Sequence, residues 1–411
     1  MPDVSVLEVL LYGEPIGVLT LVPGDTTIFS FNQAYIDDAA RPTLSLSFKD
    51  SLGQLITDIP PTRTRVPPFF ANVLPEGTMR EYLAKRAGVN SKREFFLLWV
   101  LGKDLPGAVT VRPAEGEPWP PDTETEGAAA DDADDRHDAL RFSLAGIQLK
   151  FSAIKNAKGG LTIPAEGVGG SWIVKLPSLT HSQVPENEYS MMSLARYVGV
   201  NVPELRLVNL DAIEDLPDGI GELKGPALAI KRFDRSVDGP VHIEDFAQVF
   251  GVYPTNQNKY GRASYRNIAE VIAAETGTEG VAEFIRRLVF NTLIGNADMH
   301  IKNWSLIYPD RRNAALAPAY DFVSTIAYIP DDNAALKYAR TKKMSKFSRD
   351  EVAYLAAKAR LPAKLVLDTA IETVTRFRAA WQSEKKNLPI PKAVVDAIEA
   401  HVKTVPIARE K

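Results

Sequence analysis

The sequence predicts an α+β protein: a β-rich N-terminal module, then a smaller sheet-containing lobe, then a mainly helical C-terminal lobe. Three observations carry this prediction. Strand-like runs crowd the first fifty residues, an acidic low-complexity stretch at 114–138 interrupts the chain, and apolar residues beyond residue 242 recur at helical spacing.

In chain order, VSVLEVLLY (4–12), IGVLTL (16–21), TIFSF (27–31) and TLSLSF (43–48) read as strands, separated by the turn-formers Gly13, Pro15, Gly24 and Asp25. A Pro- and Gly-punctuated segment, VPPFFANVLPEG (66–77), leads into a helical stretch over 79–101. Residues 1–113 are thus expected to form the first module. Residues 114–138 are acidic, rich in Pro, Ala and Gly, and hold one large apolar residue, Trp119, so they read as a flexible linker. The small lobe, 139–240, contains FSLAGIQLKFSAI (142–154) as two strands about a turn, then the strand SWIVKLP (171–177). A helix follows over 185–199, with Pro185 at its start and Gly199 at its end, and then the strands NVPELRLVNL and ALAIKRFDR. In the third part, 241–411, apolar residues at 281, 284, 285, 288 and 289 give one buried helical face, which stops at Gly295-Asn296.

Composition narrows the function. The 411 residues are 45% hydrophobic, enough for a large core, and the net charge of -4 disfavours unaided nucleic-acid binding. The absence of cysteine removes disulfides, thiolate nucleophiles and cysteine zinc sites. Asp3 and Glu8 break the apolar run that a signal peptide would need, and Phe95–Leu101 is too short to span a bilayer, so a cytoplasmic protein is expected.

The chemistry concentrates in GNADMHIKNWSLIY (295–308). Asp298 and Asn303 stand five apart, the separation of the base and the metal-binding amide in a protein-kinase catalytic loop. Alone, the pair has weak specificity and reads as a helix-stop turn. Asp321, in PAYDFVS after two strand-like runs, would be the second magnesium ligand. Strand alternation puts Lys175 beside Ile173, opposite Trp172 and Val174. A lysine on a half-buried sheet requires an anion, such as an ATP phosphate, or else an edge position from which it reaches water. Glu188, on the next helix, could orient it, or could be an ordinary surface residue. Ser143 to Lys150 holds one glycine and is no Walker loop, yet its turn could bring backbone N–H groups to phosphates. Lys231 and Phe233 end a strand where adenine would sit in a two-lobed nucleotide fold, although Phe233 alone would read as core.

Taken together, the chain resembles the HipA family, the kinase toxins of type II toxin–antitoxin modules. The resemblance rests on FFANVLPEG (69–77), SLAGIQLK (143–150), VKLP (174–177), NEYSMMSLARYVGVNVP (187–203), RFDR (232–235), EDFAQVFG (244–251), GNADMHIKNWS (295–305) and YDFVS (320–324), all in the family's order. It implies a two-lobed protein-kinase-like fold and ATP-dependent serine/threonine phosphorylation with Mg2+. Asp298 would be the base, and Asn303 and Asp321 the metal ligands. Ala145, Gly146, Ile147, Gln148, Leu149 and Lys150 would form the phosphate loop, with Lys175, Lys231, Phe233, His300, Lys302 and Tyr320 completing the ATP site. Ser143 would be autophosphorylated to switch the enzyme off. Two departures stand out: Lys231 occupies a position often acidic in the family, and Leu149 one that is often Glu. The resemblance further implies a HipB-type DNA-binding antitoxin, DNA contact through that complex, and an aminoacyl-tRNA synthetase as substrate. A metal-dependent phosphoesterase and a silent kinase-like binding module are the rival readings. Five histidines make the first poor in ligands, and the intact Asp298, Asn303, Asp321 and Lys175 count against the second.

Overall fold

A computed structural model describes residues 5–114, 150–155, 161–162, 170–216 and 222–410. Apart from Ala114, the acidic stretch expected to be a linker lies outside the described residues. The chain divides into two compact units. One comprises residues 1–147, 234–254 and 307–313; the other comprises 148–233, 255–306 and 314–411.

The first unit is built on an antiparallel five-stranded sheet of order β4-β3-β2-β1-β5, formed by β1 (Ser5–Leu11), β2 (Glu14–Val22), β3 (Thr26–Phe31), β4 (Thr62–Arg63) and β5 (Val109–Pro113). Period-two alternation sends Leu7, Val9, Leu19, Phe29, Val109 and Val111 to one face, all buried. Helix α1 (Pro68–Val73) contributes Phe69 and Phe70 to the same core, α2 (Gly77–Ala87) contributes Ala84, and α3 (Glu94–Leu101) contributes Phe95 and Phe96. The expected single helical stretch over 79–101 is therefore two helices, parted where Gly88 takes a left-handed conformation.

The run TLSLSF is not a strand. It is extended chain leading into a single 3-10 turn at Leu46–Phe48, because its polar groups are taken locally and by a distant carboxylate. Ser45 Oγ accepts from the Ser47 N–H at 3.1 Å, and Ser45 Oγ and the Leu46 N–H donate to Glu244 at 2.5 and 3.0 Å. β5, which pairs with β1, and the two-residue β4, which pairs with β3, are strands that the sequence did not reveal. Asp234 and Arg235 of the RFDR motif are also structural here. Arg235 binds Asp104 at 2.8 Å and the Gly107 carbonyl at 2.8 Å, while Asp234 accepts from the Gly107 N–H at 2.9 Å.

The second unit has a six-stranded sheet of order β10-β7-β6-β8-β11-β9. Its strands are β6 (Lys150–Lys155), β7 (Leu161–Thr162), β8 (Trp172–Lys175), β9 (Leu205–Val208), β10 (Ile213–Glu214) and β11 (Ala227–Lys231). β8 lies inside the sheet, between β6 and β11, so Lys175 cannot reach water from an edge. Helix α4 (Val184–Val198) follows, ended by Gly199. The long α5 (Tyr265–Leu293) starts on a capping box between Ser264 and Asn267 and is broken at Gly277, where φ 66° and ψ -159° are open essentially to glycine alone. Its C-terminal half carries the apolar face legible in the sequence, and Phe290 meets Phe377 of α6 (Ala363–Glu384) edge-on at 5.9 Å.

Candidate functional site

The register of β8 fixes the centre of the site. Trp172 and Val174 enter the apolar cluster on one face, so Lys175 emerges on the other, 8% exposed and opposite Lys150 of β6. Glu188 lies on the second turn of α4 and is 1% exposed. Its Oε1 accepts from Lys175 Nζ at 2.6 Å, and the same ammonium bonds Asp321. An ammonium held between the buried carboxylate of Glu188 and the half-buried one of Asp321 is an arrangement in which ion pairing offsets desolvation. Burial acts against the charge on Lys175, but Asp321 and then Glu188 outweigh it and hold its pKa above the ordinary value. Burial pushes the Asp321 carboxyl up, yet Lys175, then Lys150 and, further down, His300 bring it to about 2. Glu188 moves the other way: burial raises it and Asp321 adds to the rise, against the pull of Lys175. The group is one shared charge network in which Asp321 stays ionised.

Asp321 is presented by a strained backbone, with φ 57° in the left-handed region uncommon for non-glycine residues. The loop that ends α5 is tied to that segment. Asn296 Nδ2 donates to the Asp321 carbonyl at 3.3 Å and to Asn291 Oδ1 at 2.9 Å, and Asn296 Oδ1 accepts from the Asp298 N–H at 3.0 Å. Thr325 Oγ1 accepts from the Ala297 N–H at 2.8 Å and donates to the Gly295 carbonyl at 3.2 Å. Gly295 itself (φ 67°) abuts Ile326 so closely that a Cβ there would come within 2.3 Å of the isoleucine Cδ1. Asp298 and Asp321 are thereby fixed to one scaffold.

Within the loop, Asn303 Nδ2 donates to the Asp298 carbonyl at 2.8 Å, which leaves its amide oxygen as the group to offer a ligand. The carboxylate of Asp298 accepts from the phenol of Tyr260. Tyr260 also stands edge-on to His300 at 5.1 Å. Tyr320 donates to the Lys302 carbonyl at 2.8 Å, shares a 2.5 Å hydrogen bond with Ser305, and stacks on Phe233 at 6.0 Å. The structure thus joins Lys175, Glu188 and Asp321 directly, Asp298 with Asn303, and Phe233 with Tyr320 and Lys302. Lys231 engages elsewhere: its exposed ammonium meets Glu204 at 3.8 Å, a pair of little energetic weight. Ser143, Ala145, Gly146, Ile147, Gln148 and Leu149 lie outside the described residues; Lys150 is on β6.

Sequence reasoning missed Tyr260, Asn296 and Thr325. Asn296 was visible only as part of a helix stop, and nothing in NQNKYG (256–261) signals a partner for Asp298. The Asp321 carboxylate and the Asn303 amide oxygen are hard donors of the kind magnesium takes alongside waters and phosphate oxygens.

Residues 142–381 match the model of the HipA-like C-terminal domain, and residues 7–112 that of the HipA N-terminal domain. A protein of Sinorhizobium fredii, Y4dM, provisionally named a kinase, is 63% identical over 413 residues, covering 100% of this chain and 99% of its own. The serine/threonine-protein kinase toxin HipA of Shewanella oneidensis is 27% identical over 299 residues, 65% of each chain. The solved complex of Shewanella oneidensis HipA with HipB and operator DNA contains a chain of the same fold, with TM-score 0.73 at 23% identity over 98% of this chain and 96% of that one. Among the described residues no helix is long and apolar enough to cross a membrane.

Proposed function

The chain belongs to the HipA family, and from that premise we propose that it is an ATP-dependent protein serine/threonine kinase. The observation that carries the reading is the buried ammonium of Lys175, shared by Glu188 and Asp321 and anchored through Asn296 to the loop bearing Asp298 and Asn303. Phosphoryl transfer asks little covalent chemistry of a protein; it asks for positioning and for charge placed against phosphate oxygens.

On this reading Lys175, kept in place by Glu188, meets the α- and β-phosphates, and Lys150 on the adjacent strand adds a second cation. Asp321 and the Asn303 amide oxygen would hold magnesium, which would supply positive charge against the phosphate oxygens. Asp298 orients the acceptor hydroxyl and takes its proton, with Tyr260 fixing the carboxylate. Phe233, Tyr320, His300, Lys302 and the Lys231 backbone border the nucleotide, and the family resemblance assigns Ala145 to Leu149, which lie outside the described residues, to phosphate binding. Ser143 is the self-phosphorylated residue.

We further read the chain as the toxin of a toxin–antitoxin pair acting in the cytoplasm. Its partner is a HipB-type antitoxin through which it meets DNA, and its substrate is a translation component such as an aminoacyl-tRNA synthetase. Support comes from the HipA relative and from the HipA–HipB–operator complex that shares the fold. Transfer of γ-labelled phosphate to protein is the test. Asp298→Asn should lower the rate by about two to four orders of magnitude with unchanged melting, and Ser143→Ala should remove self-labelling. Equal transfer by parent and Asp298→Asn, or release of phosphate from phosphoproteins, would refute the kinase reading.

A further inference from the structure

We propose that the N-terminal unit carries a second ligand site, a cavity of about 400 Å³ that binds a small phosphate-bearing molecule through Arg41, Lys49 and Arg312. The volume lies in the range of sites for mononucleotide-sized ligands. The inference is independent of the kinase reading, since none of these residues belongs to the site described above.

The cavity wall joins distant stretches of chain. The Thr43 N–H donates to the Arg311 carbonyl at 2.8 Å, Thr43 Oγ1 donates to the Arg312 carbonyl at 2.9 Å, and Arg312 reaches back to the Ala39 carbonyl at 3.1 Å. Three cations converge on it, and no aspartate or glutamate lines it. Among the described residues, their polar contacts are to neutral groups. Arg41 donates to the carbonyls of Ile36 and Asp38 at 3.2 and 3.0 Å, and Lys49 donates to Thr43 Oγ1 at 3.0 Å. These bonds orient the side chains without neutralising them.

Acids close by in sequence are committed to their own turns. The Asp38 carboxylate accepts from the Ala40 N–H at 2.7 Å, and that of Asp50 accepts from Leu52 and Gln54, both at 2.8 Å. Asp310 accepts from Arg312 and Asn313 at 2.9 and 2.7 Å. Like charges around a small cavity repel one another, and a bound anion relieves that repulsion while taking charge-assisted hydrogen bonds from the guanidinium groups. The lining also includes the buried Leu44, Phe48 and Tyr35, which offer apolar contact to the organic part of the ligand. The back wall is firm because Ser45 is held by the buried Glu244 at 2.5 Å.

The test is hydrogen exchange on the full chain titrated with inorganic pyrophosphate and, separately, with AMP. Slower exchange over residues 39–55 and 310–313 is expected in the parent. Arg41→Gln/Lys49→Gln and the single change Gln54→Glu, at an exposed position of the wall, should each weaken that response about tenfold. The Gln54→Glu variant guards against loss of fold in the double variant. Protection confined to residues 150–175 and 295–325, no protection at all, or equal protection in parent and Gln54→Glu would overturn the proposal.

Discussion

Lys175 shows how one side chain serves folding and chemistry together. Removing it leaves the buried Glu188 and the half-buried Asp321 without their shared counter-charge, a loss on the order of 3–5 kcal/mol. Lys175→Met should therefore melt well below the parent. Glu188 already has a raised pKa, from burial first, and loses the lysine that opposes the rise, so the folded variant holds a proton that its unfolded chain has released. Such a contribution is present at low pH and disappears as pH climbs through the folded pKa. The deficit against the parent should accordingly be larger at pH 8 than at pH 5, read by thermal melting. Tyr260 acts through Asp298 and is a positioning residue. Tyr260→Phe should lower kcat about tenfold, the value of one hydrogen bond to a charged group, and leave KM for ATP nearly unchanged. A matching rise in KM would place Tyr260 in nucleotide binding instead.

At the scale of elements, the end of α5 sets the geometry of the loop. Gly295 must take positive φ and must also lie against Ile326, so the loop and the segment after Asp321 are locked together. Gly295→Ala should destabilise the protein by about 1–3 kcal/mol and reduce phosphate transfer, with partial recovery of stability when Ile326 is shortened to Ala. Full recovery would mean that the clash, and not the backbone, is the whole effect. The same helix shows what a sequence pattern can and cannot convey. The apolar face at 281–289 is plain, whereas its continuation back to Tyr265 is hidden by Gly277, where the helix breaks and the periodicity loses phase. TLSLSF misleads for a related reason: its alternation imitates a strand, but Glu244, some 200 residues away, takes its N–H and hydroxyl groups.

At the scale of the whole molecule, two buried titratable groups in the N-terminal unit make stability depend on pH in opposite senses. Burial raises Glu244 to about 7, so its contribution is full below the ordinary value of 4.5 and is lost as pH rises through 7. Burial lowers His242 to about 4, so its contribution is full above 6.5 and is lost as pH falls toward 4. Between pH 4.5 and 6.5 the slopes oppose, and the parent should be nearly flat. Glu244→Gln keeps an oxygen that accepts from the Leu46 N–H and offers an NH2 that donates to Ser45 Oγ in place of accepting from it, and it removes one slope. Its stability should rise from pH 4.5 to 6.5 by on the order of 2–3 kcal/mol, followed by chemical denaturation. A flat profile in the variant would show that His242 takes no part.

The sequence by itself determined the α+β class, the burial of the helix that precedes the loop, and the candidate identities of Asp298, Asn303, Asp321 and Lys175. These are local matters of periodicity, turn chemistry and residue spacing. Only the tertiary structure decided that Glu188 is a buried partner and not a surface residue, that β8 is interior and not an edge, that Tyr260 caps Asp298, and that residues 234–254 pack with the N-terminal strands. Each of those depends on which distant group arrives to neutralise a charge or accept a hydrogen bond. A strand or helix carries in its own pattern which face is apolar, but not the identity of what will meet it.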